Sequence, residues 1–258
     1  GKPLVKEWKG RFGFIAASTQ AINQAMIVAA QMGERYTRIN YRTDPMEQIQ
    51  RSLENQGFEE KMREDLKNAG HRLMRHYGEV APKLGTAPLE PMVSRQTTLL
   101  AHLTAMLRTP VRLDYKTGEV RYTPVSEVGA RLAKQFLVLM RSSALLDERK
   151  VITPKDVSLA YRVATDCIPE ERIKVLIALL KENRTTTEVE KFTETYGRIP
   201  NKTSERELSK LEYIGIIKRV NKNWRITTPW QARLKESGLD EHLVNLIPIM
   251  EEQHALSM

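Results

Sequence analysis

EERIKVLIALLKEN, residues 170–183, opens the stretch that decides how the C-terminal third of this chain folds. It is followed by TTTEVEKFTETYG at 185–197, NKTSERELSKLEYIG at 201–215 and IIKRVNKNWRITT at 216–228. The first three segments carry apolar residues at helical spacing. The last alternates on either side of Asn221-Lys222-Asn223, which is typical of a β-hairpin. The order predicts three helices and then a hairpin.

The third of these helices has one cationic face. On a helical wheel with about 100° per residue, Leu208 and Leu211 fall on one side and the cations on the other. The cationic side carries Lys202, Arg206, Ser209, Lys210 and Tyr213. The hairpin adds Lys218, Arg219, Lys222 and Arg225. Segregation of charge from the apolar residues suits a phosphate backbone or a groove.

Three helices and a hairpin with a cationic third helix predict a winged helix at 169–228. The residues predicted to contact nucleic acid are Lys202, Arg206, Lys210, Lys218, Arg219, Lys222 and Arg225. Glu205 and Glu207 lie on the same helix. They leave open a winged helix that serves only protein contacts.

The preceding segment, residues 124–169, predicts two helices. The second begins at a Thr153-Pro154 cap, with Asp156 in its opening turn. The first has a core face of Leu132, Phe136, Leu139 and Leu146. Residues 229–258 predict one or two amphipathic helices bounded near Gly238 and Pro248.

The region between residues 43 and 123 is also expected to be mainly helical. Asp44-Pro45 starts a helix that Gly57 interrupts, and a charged helix then runs from about Phe58 to Tyr77. Three prolines and two glycines predict a loop from Gly78 to Pro91. A helix follows over Met92 to Leu107, with Leu99, Leu100, Leu103 and Leu107 at core spacing. VRLDYKTGEVRY, residues 111–122, predicts a β-hairpin.

WKGRFGFIAASTQAINQAMIVAAQMGERYTRINYR, residues 8–42, reads as strand, helix and strand. The short apolar run 12–17 ends in Ser18 and Thr19, which suits a buried strand that delivers a hydroxyl to its C-terminal end. Arg35 lies near the start of the second strand. Arg35, Arg38 and Arg42 also fit a solvated strand edge.

Together these segments resemble the second half of an AAA+ ATPase core of the MCM-like helicase kind. The resemblance implies a mainly α fold: an α/β core remnant over 1–42, a helical lid with a β-hairpin over 43–168, the winged helix and a C-terminal helical tail. It casts Ser18 or Thr19 as the first sensor of ATP and Arg35 as an arginine finger that reaches the ATP of a neighbouring subunit. It casts Arg131, at the start of the lid's first long helix, as the second sensor. Arg141 and Arg149 are the alternatives without a nucleotide role.

A P-loop requires G-x-x-x-x-G-K-[ST] after a strand, and the chain contains no such motif. No apolar strand ends in Asp-Glu to hold Mg²⁺ either. The resemblance therefore implies that a P-loop half lies upstream and that ATP and Mg²⁺ bind only in the complete protein, a ring-like homo-oligomer acting on DNA. The chain alone is expected not to hydrolyse ATP. The rival hypothesis is a non-catalytic winged-helix regulator of DNA whose helical middle serves assembly.

Composition agrees with a nucleic-acid partner in a reducing, cytoplasmic compartment. The formal net charge is +9, with a pI near 9.6. A single cysteine, Cys167, excludes a disulfide within the chain and is expected to pack in a core. Histidines 71, 76 and 102 lack the spacing or the cysteine partners of a metal site. No apolar run reaches the length of a membrane span.

Overall fold

The computed structural model describes residues 37–41, 44–114, 117–121, 126 and 128–255. These residues form one compact, mainly helical unit with a small two-stranded antiparallel sheet, which confirms a mainly α fold. The first strand and the helix predicted within residues 8–36, and with them Ser18, Thr19 and Arg35, lie outside the described residues. The second predicted strand is wrong over residues 37–41, which are described and form no strand. Their backbone bonds to side chains instead of to a neighbouring strand, since the N–H of Asn40 donates to the Asp166 carboxylate at 3.0 Å.

The elements follow one another along the chain with short connections, apart from the longer connection over residues 108–129. The helices before the sheet are α1 (Pro45–Glu54), α2 (Glu59–Leu84), α3 (Pro91–Leu107), α4 (Ala130–Leu146), α5 (Pro154–Asp166), α6 (Glu170–Lys181), α7 (Thr186–Thr193) with a 3-10 turn (Glu194–Tyr196), and α8 (Asn201–Tyr213). The sheet consists of β1 (Ile217–Val220) and β2 (Asn223–Ile226). The last helices are α9 (Thr228–Ser237), α10 (Leu239–Asn245) and α11 (Ile247–Ala255).

One continuous hydrophobic core joins these elements. It runs from Val93 in α3 to Met250 in α11 and includes Leu103, Phe136 and Leu176, all of them fully buried. Helix α4 packs against α3 and α5, α9 packs against α3, and α10 packs against α6. Cys167 is completely buried at the end of α5, which confirms the packing role expected of it. The helices around α4 and those around α8 therefore support each other through shared buried surface.

Two helix starts confirm the capping predictions. The Asp44 carboxylate accepts a hydrogen bond of 2.8 Å from the backbone N–H of Met46, and Pro45 occupies the first turn, where its missing N–H costs nothing. At the start of α5, the Asp156 carboxylate accepts from the backbone N–H of Thr153 at 2.8 Å in a capping box. Side-chain capping thus sets both boundaries locally.

The predicted loop from Gly78 to Pro91 is wrong for its first half, because α2 continues to Leu84 through Pro82. Tertiary contacts outweigh the local helix breakers. The Tyr77 hydroxyl donates a 2.6 Å hydrogen bond to the carbonyl oxygen of Leu146, and Val80 and Leu84 are half-buried beyond it. Packing of this end of α2 continues past Tyr77, and the remaining loop is confined to residues 85–90.

The core face of α4 differs from the prediction at its C-terminal end. The buried row steps by four residues from Leu132 to Phe136, Met140 and Ala144. Each step of four advances about 40° around the helix, so the row drifts away from Leu146. Leu146 is consequently 53% exposed.

The hairpin predicted at 111–122 is confirmed as short antiparallel pairing of Leu113 with Val120. The Asp114 N–H donates to the carbonyl oxygen of Glu119 at 2.7 Å, and Gly118 has a positive φ of 72° in the turn.

The tail after residue 228 contains three helices rather than one or two. Gly238, with φ of 75°, separates α9 from α10, and Pro248 lies within the first turn of α11.

Candidate nucleic-acid interface

Helices α6, α7 and α8 and the β1–β2 hairpin form the predicted succession of three helices and a hairpin. An additional antiparallel pairing links the hairpin to the connection between α6 and α7. The N–H of Trp224 donates to the carbonyl oxygen of Arg184 at 2.7 Å, and the N–H of Arg184 donates back at 3.2 Å. The Trp224 ring is 3% exposed, and its Nε1 donates to the Thr186 hydroxyl at 3.2 Å. The hairpin is therefore held in place through strand β2, one residue from its turn.

Helix α8 presents the two faces that the wheel predicts. Leu208 and Leu211 are completely buried. Lys202 and Arg206 are exposed on the other side. The apolar pair holds the helix against the core and leaves these two cations at the surface.

The hairpin carries its cations in a defined register. Val220 pairs with Asn223, which leaves Asn221-Lys222 as a two-residue turn, and Asn221 has a φ of 59°. Lys218 pairs with Arg225 on one face of the hairpin. Within the described part of the chain, Lys218 and Lys222 are exposed and form no ion pair.

Arg219 ties the hairpin to helix α8. Its guanidinium carbon lies 5.3 Å from the centroid of the Trp224 ring, which is a cation–π arrangement. Its backbone N–H donates to the Glu212 carboxylate at 3.1 Å, so the last turn of α8 and strand β1 are joined. The guanidinium is exposed and held by the ring, which limits the conformational entropy lost when it binds an anion.

Lys210 lies in a charge network that faces the interior. Its Nζ is 2.5 Å from the Glu207 carboxylate, and the other carboxylate oxygen accepts from Arg172 Nε at 3.2 Å. The side chains of Arg172 and Glu207 are only 4% and 10% exposed. Arg172 also donates to the carbonyl oxygens of Leu107 at 2.5 Å and Thr109 at 3.0 Å.

Electrostatics favour the ionised form of Glu207. Burial alone would raise the pKa of Glu207, but the charges of Arg172 and Lys210 outweigh it and leave the pKa below its ordinary value. The charge of Glu207 is therefore neutralised by Arg172 and Lys210, and it adds little negative potential to the outer face of α8. Of the two acidic residues that leave a protein-contact role open, Glu207 is buried and Glu205 is exposed on α8.

The seven predicted contact residues thus divide into two groups. Lys202, Arg206, Lys218, Arg219 and Lys222 are exposed. Lys210 is half-buried against Glu207, and Arg225 is half-buried with an enclosed Nε that has no hydrogen-bond partner among the described residues. The exposed group lies on α8 and on the hairpin that packs against it.

Sequence reasoning missed two residues that shape this surface, Arg172 and Trp224. Arg172 lies 35 positions before Glu207, so no local pattern pairs them. Trp224 pairs with Arg184, and Arg184 is the one residue before α7 that takes part in this pairing. A single residue is too short to show the alternating pattern of a strand. For Trp224, the signal available was a single large aromatic residue in a predicted hairpin strand.

The structure places Arg131 in the first turn of α4, with an exposed side chain. Gly129, just before that helix, lies against α3: an added Cβ would come within 3.0 Å of the carbonyl oxygen of Ala101. The two alternative arginines have structural partners. Arg141 donates to the carbonyl oxygen of Ala87 at 3.0 Å, and Arg149 binds both carboxylate oxygens of Asp156 at 2.8 Å. Arg141 and Arg149 thus serve the fold, as expected of them, and the sensor role of Arg131 stays a prediction.

The described residues were also compared with the requirements of a metal site and of a membrane span. They contain no group of three or more histidine, cysteine or acidic side chains placed to hold a metal ion. His102 stacks on Trp230 at a centroid distance of 5.6 Å, and His76 lies 2.8 Å from the Glu148 carboxylate. None of the helices in this described part is both long and apolar enough to span a membrane.

Comparisons with protein-family models, with curated proteins and with solved structures find no match to this chain.

Proposed function

We propose that this chain binds duplex DNA through a winged helix formed by α6, α7, α8 and the β1–β2 hairpin. The observation that carries the proposal is the exposed group of Lys202, Arg206, Lys218, Arg219 and Lys222 on two adjoining elements. Cations spread over a helix and a neighbouring hairpin match the spread of phosphates along a duplex. The buried pairing of Glu207 supports this role, because it removes a charge that would repel phosphate.

Binding should depend mainly on phosphates. Helix α8 exposes few side chains of the kind that read base edges with paired hydrogen bonds. The five exposed cations would neutralise one phosphate each. At about 0.9 per phosphate, the slope of log affinity against log salt is then about −4.5.

Fluorescence anisotropy with a labelled duplex, measured across a salt series, tests this proposal. Lys202→Ala combined with Arg206→Ala should flatten the slope by about 1.8. Lys61→Ala combined with Lys67→Ala removes the same charge from the exposed surface of α2 and should leave the slope nearly unchanged. Undetectable binding at low salt, or equal effects of the two pairs, would contradict a DNA-binding face and favour a protein-contact module.

We further propose that this winged helix belongs to the sensor, arginine-finger and DNA-contacting part of an oligomeric ATP-driven DNA motor of the MCM-like kind. Support comes from the sequence resemblance and from the exposed guanidinium of Arg131 in the first turn of α4. A guanidinium suits a phosphate oxygen by charge and by its fork of N–H donors. ATP and Mg²⁺ would be gripped by an upstream P-loop half, with Ser18, Thr19 and Arg35 contributing at the same site.

The motor hypothesis and the rival regulator hypothesis differ in what happens when a P-loop half is supplied. The purified chain alone should show no ATP turnover above a contaminant control. Joined to a P-loop half, it should hydrolyse ATP and lose that turnover on Arg35→Ala, with ATP binding retained. A regulator would show neither effect.

A further inference from the structure

Helix α2 has a surface that the rest of the described chain leaves uncovered. All residues from 59 to 76 are exposed, and only the last turns of the helix contact the body of the molecule. The exposed apolar side chains include Met62 at 46%, Leu66 at 75% and Leu73 at 50%. Helices in proteins gain most of their stability from packing of an apolar face. A helix of 26 residues without a buried side chain therefore calls for a partner.

The exposed apolar residues follow a heptad pattern. Met62, Leu66, Ala69 and Leu73 are separated by four, three and four residues, the spacing of a coiled-coil seam. We call these residues the α2 stripe. In heptad terms Leu66 and Leu73 occupy a positions, and Met62 and Ala69 occupy d positions. The flanking g positions are then Asp65 and Arg72.

The flanking charges select one arrangement of two copies. In an antiparallel pair, Leu66 faces Ala69 of the second copy and Leu73 faces Met62. Asp65 of one copy then lies within two residues' rise, about 3 Å along the axis, of Arg72 of the other. The twofold symmetry repeats this opposite-charge contact. In a parallel pair, Asp65 would instead lie across from Gly70, and no charge pair would form.

We propose that two copies of this chain associate through the α2 stripe as an antiparallel helix pair. The stripe provides four a–d layers and two Asp65–Arg72 contacts. An interface of this length buries on the order of 1,000 Å², at the low end for a specific complex, so the dimer should be visible at roughly 10 to 200 µM chain.

Analytical ultracentrifugation of the whole chain over this concentration range tests the association. Leu66→Glu should weaken it by about 100-fold or more, since the symmetry buries an unpaired carboxylate twice. Glu64→Arg, on the opposite side of α2, is the matched control and should dimerise like the unchanged chain. Neither change should alter the melting temperature of the core, because Leu66 and Glu64 are both exposed in the folded chain. A chain that stays monomeric throughout, whatever else covers the stripe, would overturn the proposal.

Orientation and register have their own tests. Asp65→Arg or Arg72→Asp alone should weaken the dimer by about threefold to tenfold, and the two changes combined should restore it. Met62→Cys chains mixed with Leu73→Cys chains should form an intermolecular disulfide, whereas each variant alone should not. The native Cys167 does not interfere, since it is completely buried. Crosslinking of either variant with itself, or failure of the charge swap to restore association, would overturn the antiparallel arrangement.

Discussion

The substitution Glu207→Gln should weaken the fold and strengthen DNA binding at the same time. In the folded chain the Glu207 carboxylate lies 3.2 Å from Arg172 Nε and 2.5 Å from Lys210 Nζ. The neutral amide loses the charge of both contacts and leaves the Arg172 guanidinium buried. Breaking a buried pair from one side costs about 3 to 5 kcal/mol. Arg172 keeps its two backbone carbonyl acceptors, so we expect the lower value, about 3 kcal/mol.

For a unit of this size, a loss of about 3 kcal/mol lowers the melting temperature by about 6 to 12 °C. The same substitution releases Lys210 from its carboxylate partner. One additional phosphate contact would steepen the salt slope of DNA binding by about 0.9. Circular dichroism during thermal and urea unfolding measures the first effect, and fluorescence anisotropy across a salt series measures the second.

Glu205→Gln is the matched control, since it makes the same change in charge at an exposed position of the same helix. Its free energy of unfolding should stay within about 0.5 kcal/mol of the unchanged chain, and its salt slope should not steepen. If Glu207→Gln costs less than about 1 kcal/mol, the buried network does not stabilise this fold. If its salt slope matches that of Glu205→Gln, Lys210 is not held back from DNA by Glu207.

Three further outcomes are expected. Asp156→Asn should cost about 3 kcal/mol, measured by urea unfolding, because the carboxylate is completely buried and bound by the two terminal guanidinium nitrogens of Arg149. A loss under about 1 kcal/mol would contradict this. Stability should fall with pH in two stages. In the first stage, burial lowers the pKa of His242, so below about pH 6.5 the unfolded chain binds a proton that the folded chain does not, and the folded chain loses stability. In the second stage, the carboxylates of Asp156 and Glu207 become protonated. Their cationic partners lower their pKa values despite burial, so the stability they contribute is lost below about pH 4.5. Higher stability at pH 5 than at pH 7 would refute this order. Arg131→Ala should shift the melting temperature by less than about 2 °C, since its side chain is exposed, and should reduce ATP turnover only in an assembly that contains a P-loop half.

Local chemistry was enough to predict the helix starts, the order of elements in the C-terminal third and the face of α8 that carries its cations. The caps at Asp44 and Thr153 bind N–H groups within three residues of themselves, so the local sequence is enough to predict these two helix starts. The segregation of Leu208 and Leu211 from Lys202 and Arg206 follows from helical periodicity alone. These predictions depend only on residues that are close along the chain, and such residues stay close to one another in the folded structure.

Only the tertiary structure decided which cations remain at the surface and how far α2 extends. Arg172 neutralises Glu207 from 35 residues away, and the pairing of Arg184 with Trp224 spans 40 positions. Tyr77 reaches Leu146 across 69 positions and carries α2 past Gly78. Each contact joins residues that the chain brings together only after the helices pack, so no periodicity or capping rule encodes it. The energy of a buried charge or a half-buried turn is set by its surroundings in space, and those surroundings exist only in the folded chain.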